Sequence, residues 1–156
     1  MAADPLAPLR DRPERSALLL DVDGTLAPVV EHPAASGVPD ATLALLAALA
    51  ERYALVGCVS GRAAADAARL VPVPGVRIAG SHGLELIVDG EVVLAGGVEE
   101  WLDDVRTVAT AIAPIAAEAG GWVEEKGPTF TVHFRESSDP VAARALTGYR
   151  VMDTMF

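Results

Sequence analysis

Positive charge is scarce in this chain. Twelve Lys and Arg stand against 22 Asp and Glu, a net charge of -10, and Lys126 is the only lysine. Nucleic acids and anionic membranes are bound by clustered Lys and Arg, so neither is an expected partner. Cysteine is scarcer still: Cys58 stands alone, which excludes an internal disulfide. It sits in an apolar run and reads as a small buried hydrophobe. Aromatic residues make up 4% of the chain against 51% apolar residues, so the core must be built from Ala, Leu and Val. Long hydrophobic runs are missing too. Residues 41–50 are too few to span a bilayer and are closed by Glu51 and Arg52. Residues 108–123 are interrupted by Pro114 and Glu118, and no apolar signal-peptide segment follows Arg10, Arg12 and Arg15. The expectation is a soluble, cytoplasmic protein of one domain or one and a half.

What is present alternates between strand and helix patterns. Residues 17–20 form an apolar run ending in Asp21, the pattern of a buried parallel strand. Pro28, Pro33, Gly37 and Pro39 mark a loop, and Asp40 suits the N-cap of a helix over residues 41–52. Residues 54–59 read as a second buried strand, 62–70 as a helix stopped by Pro72 and Pro74, and 76–79 as a third strand. In a doubly wound sheet, functional residues gather at the carboxyl ends of the strands. Asp21, Ser60 and the segment Gly80-Ser-His82 all stand at such ends.

After Gly83 the pattern changes. Residues 84–88 and 91–94 flank Asp89-Gly90 and predict a hairpin. Gly96-Gly97 suits a boundary, residues 98–119 a long helix containing Pro114, and residues 122–126 and 129–134 a second hairpin around Gly127-Pro128. Asp139-Pro140 suits the start of a further helix.

The chemistry begins at Leu18-Leu-Leu-Asp-Val-Asp-Gly-Thr-Leu26. Residues i and i+2 of an extended chain point to one side, so Asp21 and Asp23 can line one pocket. Two carboxylates at a strand end call for compensation by a cation or a phosphate relay. Carboxylate, carbonyl and water oxygens suit Mg²⁺. The plain alternative is a strand-to-turn boundary, where Asp and Gly are common. An EF-hand is excluded, because His32 stands at the twelfth position where a glutamate is needed. A dinucleotide-binding reading fails because no Gly-x-Gly-x-x-Gly follows the first strand.

That segment resembles the first motif of the haloacid dehalogenase-like phosphatases. The resemblance implies that Asp21 attacks phosphorus and becomes an aspartyl-phosphate. It implies that Asp23 protonates the leaving alcohol and then activates water. It also implies that the Asp21 carboxylate and the Asp23 main-chain carbonyl ligate Mg²⁺. Ser60, in Ser60-Gly61-Arg62, then matches the second-motif hydroxyl that holds a phosphoryl oxygen. The bland reading of Ser60 is an N-cap, and a helix N-terminus is itself an anion site. Arg62 suits substrate binding or a solvated helix surface. His82, between Gly80 and Gly83, suits a pocket wall or a solvated turn.

The stretch Trp122-Val-Glu-Glu-Lys-Gly-Pro-Thr-Phe-Thr-Val-His-Phe-Arg135 narrows the family. Glu124 and Lys126 share one strand face, as do His133 and Arg135. Such a mixed face suits either solvent or a sugar, whose hydroxyls both donate and accept. Together with Ala27-Pro-Val-Val-Glu-His-Pro33, Val59-Ser-Gly-Arg62 and Gly80-Ser-His-Gly-Leu-Glu85, it resembles the trehalose-6-phosphate phosphatases. The resemblance runs from about residue 17 to about residue 140. It implies a Mg²⁺-dependent release of phosphate from trehalose 6-phosphate. It implies an α/β fold: part of a doubly wound parallel sheet over residues 1–97, and part of an inserted α/β cap over residues 98–156. Ser60, Gly61, Arg62, His82, Glu124 and Lys126 would bind the substrate, with Glu124 and Lys126 matching the cap motif that contacts the disaccharide.

Two later motifs that the resemblance also implies have no counterpart among the 156 residues. One is a lysine in an Asn-Lys-Gly setting and the other is an acidic Gly-Asp-Asp cluster. The expectation is a truncated, frameshifted or partial chain with impaired turnover, since phosphate-monoester hydrolysis needs accelerations approaching ~10²¹-fold. The alternatives are another sugar-phosphate phosphatase, or a non-catalytic remnant that binds a sugar phosphate.

Overall fold

The computed structural model describes residues 4–30, 35–134, 137–139 and 141. They fall into two compact units, Met1–Ala95 and Gly96–Phe156. No helix among the described residues is long and apolar enough to cross a membrane.

In the first unit a short helix, α1 (Ala7–Asp11), precedes β1 (Ala17–Asp21). Then come α2 (Asp40–Arg52), β2 (Leu55–Val59), α3 (Ala64–Leu70) and β3 (Val76–Gly80). The hairpin β4 (Glu85–Val88) and β5 (Glu91–Leu94) ends the unit. One sheet holds all five strands in the order β1-β2-β3-β4-β5. The first three are parallel and the hairpin strands antiparallel. Asp89 and Gly90 turn the hairpin with φ of 52° and 88°, the left-handed pair that an Asp-Gly turn supplies. This is the expected α/β class. Its sequential strand order is what one wing of a doubly wound sheet provides.

Register explains the core. Leu18 lies beside Val56, which lies beside Val76, and Leu20 beside Cys58, which lies beside Ile78. These residues share one sheet face, and Leu46 of α2 and Ala67 of α3 join the same cluster. Full burial of a leucine such as Leu46, 1% exposed, contributes about 2 kcal/mol. The opposite face is bare among the described residues, with Leu19 65% exposed and Leu55 and Val59 also open. The expectation of a buried first strand is therefore corrected: β1 is parallel but packed on one side only, where Leu18 and Leu20 are half-buried. An unbroken apolar run does not reveal how many of its faces are covered.

Two helix starts also differ from expectation. Asp40 is the first helical residue of α2, with Pro39 as the flanking residue and no side-chain cap. Its carboxylate still complements the helix N-terminal charge. The helix expected from residue 62 begins at Ala64, so Ser60 is not its N-cap.

In the second unit a 3-10 turn (Val98–Trp101) runs into α4 (Leu102–Glu118), which continues through Pro114. Ala109, Ile112 and Ala116 form its buried stripe. A hairpin follows, β6 (Trp122–Glu125) and β7 (Phe130–His133). Glu31, His32, Pro33, Arg135, Pro140 and the residues after Val141 lie outside the described residues, and with them the helix expected at Asp139-Pro140.

Candidate active site

Val22 decides how the first motif is displayed. It is fully buried, and its carbonyl accepts the N–H groups of Leu26 and Ala27 at 3.0 and 2.8 Å. With Val22 plugged into the core, Asp21 and Asp23 are left on the outer side of the turn. Gly24, at φ 85°, closes that turn by donating its N–H to the Ala27 carbonyl at 2.8 Å.

The carboxylate of Asp21 makes no hydrogen bond or ion pair among the described residues. It borders a cleft of about 310 Å³ whose walls include Val59, Ser60, Gly61 and His82. The cleft lies at the carboxyl ends of β1 and β2. Ser60 is 2% exposed, and its Oγ accepts the Arg62 N–H at 3.1 Å. The hydroxyl proton donates to nothing among the described residues.

Asp23 is held differently. The Arg62 guanidinium grips it as a fork, Nε to Oδ2 at 2.8 Å and Nη2 to Oδ1 at 2.7 Å. The Ser36 hydroxyl adds a bond at 3.3 Å. These contacts, Arg62 first, hold the Asp23 carboxyl below the ordinary carboxylate range against the opposing effect of burial. A depressed carboxylate stabilises the fold above its unfolded pKa and loses that contribution as pH falls through the folded value. The difference in melting temperature between the wild type and Arg62→Leu is therefore expected to shrink as pH drops below about 4. The effect will be modest, since the Asp23 side chain is 40% exposed.

His82 is built into the wall. Ser81 and His82 both have positive φ, 48° and 59°, and non-glycine residues in that region mark a constrained site. The His82 N–H donates to the Ser60 carbonyl at 2.9 Å, and the Ser81 N–H to the Arg62 carbonyl at 2.6 Å. Its imidazole lies where a side chain at Gly61 would fall, with Cε1 only 2.7 Å from the position of a Cβ. Gly61 is needed to seat this ring.

A family model for trehalose-phosphatase matches residues 19–150. The chain belongs to the trehalose-phosphatase family. A probable trehalose-phosphate phosphatase of Sinorhizobium fredii is 36% identical over 125 residues, covering 79% of this chain and 46% of that protein. A Mycobacterium tuberculosis protein named as an uncharacterized glycosyl hydrolase is 38% identical over 127 residues, covering 80% of this chain and 10% of its own length. The C-terminal domain of trehalose-6-phosphate phosphatase from C. albicans superposes with a TM-score of 0.71 at 24% identity, over 96% of this chain and 52% of that one. The last likeness is one of fold. The chain spans about half, or less, of the length of each of these proteins.

Within this trehalose-phosphatase fold, the first unit thus gathers Asp21, Ser60, Gly61 and His82 at one cleft and pairs Asp23 with Arg62 beside them. Glu124 and Lys126 stand in the second unit, joined to each other at 3.2 Å. Sequence reasoning left Glu85 without a role. It is 8% exposed, and its Oε2 accepts both the Ala64 N–H at 2.8 Å and the Ser81 hydroxyl at 3.1 Å. It accepts the Ala64 N–H at the start of α3, a bond that the N-cap reading would have given to Ser60. A glutamate two residues after a glycine was the available signal, but a cap reaching back 21 residues leaves no local pattern.

Both bonds to Glu85 end on one oxygen, which leads to a specific expectation. Glu85→Gln can keep an acceptor there and should cost less than about 1 kcal/mol. Glu85→Ala strands two buried donors and should cost about 2–4 kcal/mol. Urea denaturation of the two variants checks the contrast.

Proposed function

We propose that this chain provides the nucleophile-bearing part of a phosphatase acting on trehalose 6-phosphate. One observation carries the proposal: Asp21, whose carboxylate has no partner among the described residues, shares a cleft with a buried hydroxyl whose proton is unused among them, and a second carboxylate stands two residues away. In this reading the first unit is the N-terminal part of the phosphatase core and the second is part of an α/β cap.

The steps follow from the groups. Asp21 attacks phosphorus and the bond from phosphorus to the sugar oxygen breaks. Asp23 gives its proton to the departing alkoxide. It then takes a proton from water, which attacks the aspartyl-phosphate and releases inorganic phosphate with Asp21 restored. The Ser60 hydroxyl donates to a phosphoryl oxygen, and His82 and the Gly61 backbone form the wall beside it. The Arg62 grip favours the basic form of Asp23, which suits the second step. A bound phosphate group offers Arg62 another anion, and releasing Asp23 to it favours the first step.

Mg²⁺ belongs to the same reading. Asp21 offers a carboxylate uncommitted among the described residues and Asp23 a main-chain carbonyl, both hard oxygen donors of the type Mg²⁺ takes. No group of three or more His, Cys, Asp or Glu gathers as a metal site among the described residues, so water and phosphate oxygens would complete the shell. When bound, the ion neutralises charge on the phosphoryl oxygens. A single, buried cysteine suits a reducing compartment, and the cytoplasm is the proposed location.

The test is phosphate release from a panel of sugar phosphates with Mg²⁺. A clear preference for trehalose 6-phosphate supports the reading. Equal rates on glucose 6-phosphate and trehalose 6-phosphate would leave a general sugar-phosphate phosphatase. Binding of trehalose 6-phosphate without phosphate release or Asp21 phosphorylation would leave a non-catalytic binder.

A further inference from the structure

The outer face of the second hairpin carries more than an acid and a base. Strand register pairs Trp122 with His133 and Glu124 with Thr131, and the Lys126 N–H meets the Thr129 carbonyl at 2.8 Å. Directly opposed residues of an antiparallel pair lie on one face, and so do alternate residues of each strand. Trp122, Glu124, Lys126, Thr131 and His133 therefore share one face. Val123, Phe130 and Val132 share the other. The hairpin register brings His133 to Glu124; Arg135, expected on the same strand face as His133, lies outside the described residues.

The groups on this face are ordered in a chain. His133 Nε2 lies 2.7 Å from Glu124 Oε2, and Lys126 Nζ lies 3.2 Å from the same oxygen. Burial pushes the Glu124 carboxyl up, but His133 and Lys126 together outweigh it and hold the group below its ordinary range. Glu124 is thus ionised and oriented, and its Oε1 accepts nothing among the described residues. The imidazole of His133 is fixed in turn by the Trp122 indole, stacked at 4.2 Å between ring centroids with planes 18° apart. Only one side of the indole is used in that stack, and Trp122 remains 52% exposed.

We infer that Trp122 is a specificity-determining residue of this face, whose open side receives the flat C–H surface of a pyranose ring while Glu124 and Lys126 bind its hydroxyls. The inference rests on the sugar-phosphate reading above and adds to it the residue that recognises the ring itself. A pyranose has polar edges and apolar faces. Carboxylate and ammonium read its edge, but they bind any polyol as well. A rigid aromatic plate beside them reads the face and discriminates a ring from an open chain. An indole costs little entropy to hold in place, and here His133 already holds it.

A purely structural role is the competing account, since a Trp–His cross-strand pair also stabilises a hairpin. Trp122→Leu and Trp122→Phe separate the two. Leu keeps an apolar partner for His133 and removes the flat plate, whereas Phe keeps a ring. The whole chain is used, and trehalose is the probe, titrated by calorimetry, with circular dichroism to establish folding. Trp122→Leu is expected to weaken trehalose binding about tenfold, and Trp122→Phe by less than about threefold. In a Trp101→Phe background, where Trp122 is the only tryptophan, saturating trehalose is expected to shift its emission. Equal affinities in the Leu and Phe variants and the wild type would overturn the role of Trp122 and leave the sugar reading intact. An absence of trehalose binding by the folded wild type would overturn both.

Discussion

Asp21→Asn is expected to lower phosphate release from trehalose 6-phosphate by about 10⁴-fold or more, while leaving the unfolding free energy within about 0.5 kcal/mol of the wild type. The two halves of this expectation have separate causes. Asparagine has the shape of aspartate but an amide nitrogen and a neutral oxygen are poor nucleophiles, so the covalent intermediate is lost. The fold is indifferent because the Asp21 carboxylate makes no hydrogen bond among the described residues and is exposed. Removing one acid from a chain of net charge -10 also relieves self-repulsion slightly. Phosphate release, trapping of the aspartyl-phosphate and a urea melt on one preparation read all three quantities. A variant that retains its rate would show that Asp21 is not the nucleophile. A variant that unfolds would show that the carboxylate is structural after all.

The contrast with Asp23 follows from the same motif. The two acids are two residues apart, yet among the described residues only Asp23 is engaged by arginine. Its loss removes a bidentate ion pair as well as a chemical group. Mutational loss of activity at Asp23 is therefore less diagnostic of chemistry than loss at Asp21.

Much of this site was legible in the sequence because its logic is local. An apolar run, an acid, a buried residue, a second acid and a glycine specify a strand, a turn and two carboxylates on one side. The Asp-Gly hairpin at Asp89-Gly90 was legible for the same reason: its turn chemistry lies within two residues. The features that escaped prediction are set by distant partners. Nothing near Leu19 says whether a helix will cover it, so a half-covered strand and a buried one look alike. Ser60 had the composition of an N-cap, but the backbone spends three further residues in a loop before α3 begins. The N–H that the N-cap reading would have given it goes to Glu85, on another strand. His133 and Glu124 are nine residues apart, and only the register of the hairpin puts them in contact.

Gly80→Ala should be the most damaging small substitution in the first unit. A glycine is usually explained by positive φ, but Gly80 has φ -99°, which any residue adopts. Here the reason is space. A Cβ at Gly80 would stand 2.1 Å from the Ala64 nitrogen and 2.4 Å from its Cα. Both atoms are backbone at the first turn of α3, so no side-chain rotation relieves the overlap. The start of α3 must move by more than an ångström. That displacement strains the Ala64 N–H bond to Glu85 and the Ser81 N–H bond to the Arg62 carbonyl. Arg62 is thereby drawn away from Asp23, and Ser60 and His82 from the Asp21 cleft. A loss of about 3 kcal/mol or more is expected, at the upper end for overpacking, together with loss of Asp21 phosphorylation. Gly90→Ala is the matched control. Gly90 has φ 88° and nothing within 4 Å of its Cβ position, so only backbone strain of about 1–2 kcal/mol applies. The hairpin turn lies away from the cleft residues, so phosphorylation should survive in the folded fraction. Denaturant midpoints and phosphoenzyme yields for both variants decide the matter. If Gly80→Ala proved no more harmful than Gly90→Ala, the close approach of β3 to α3 would not be what holds the site together.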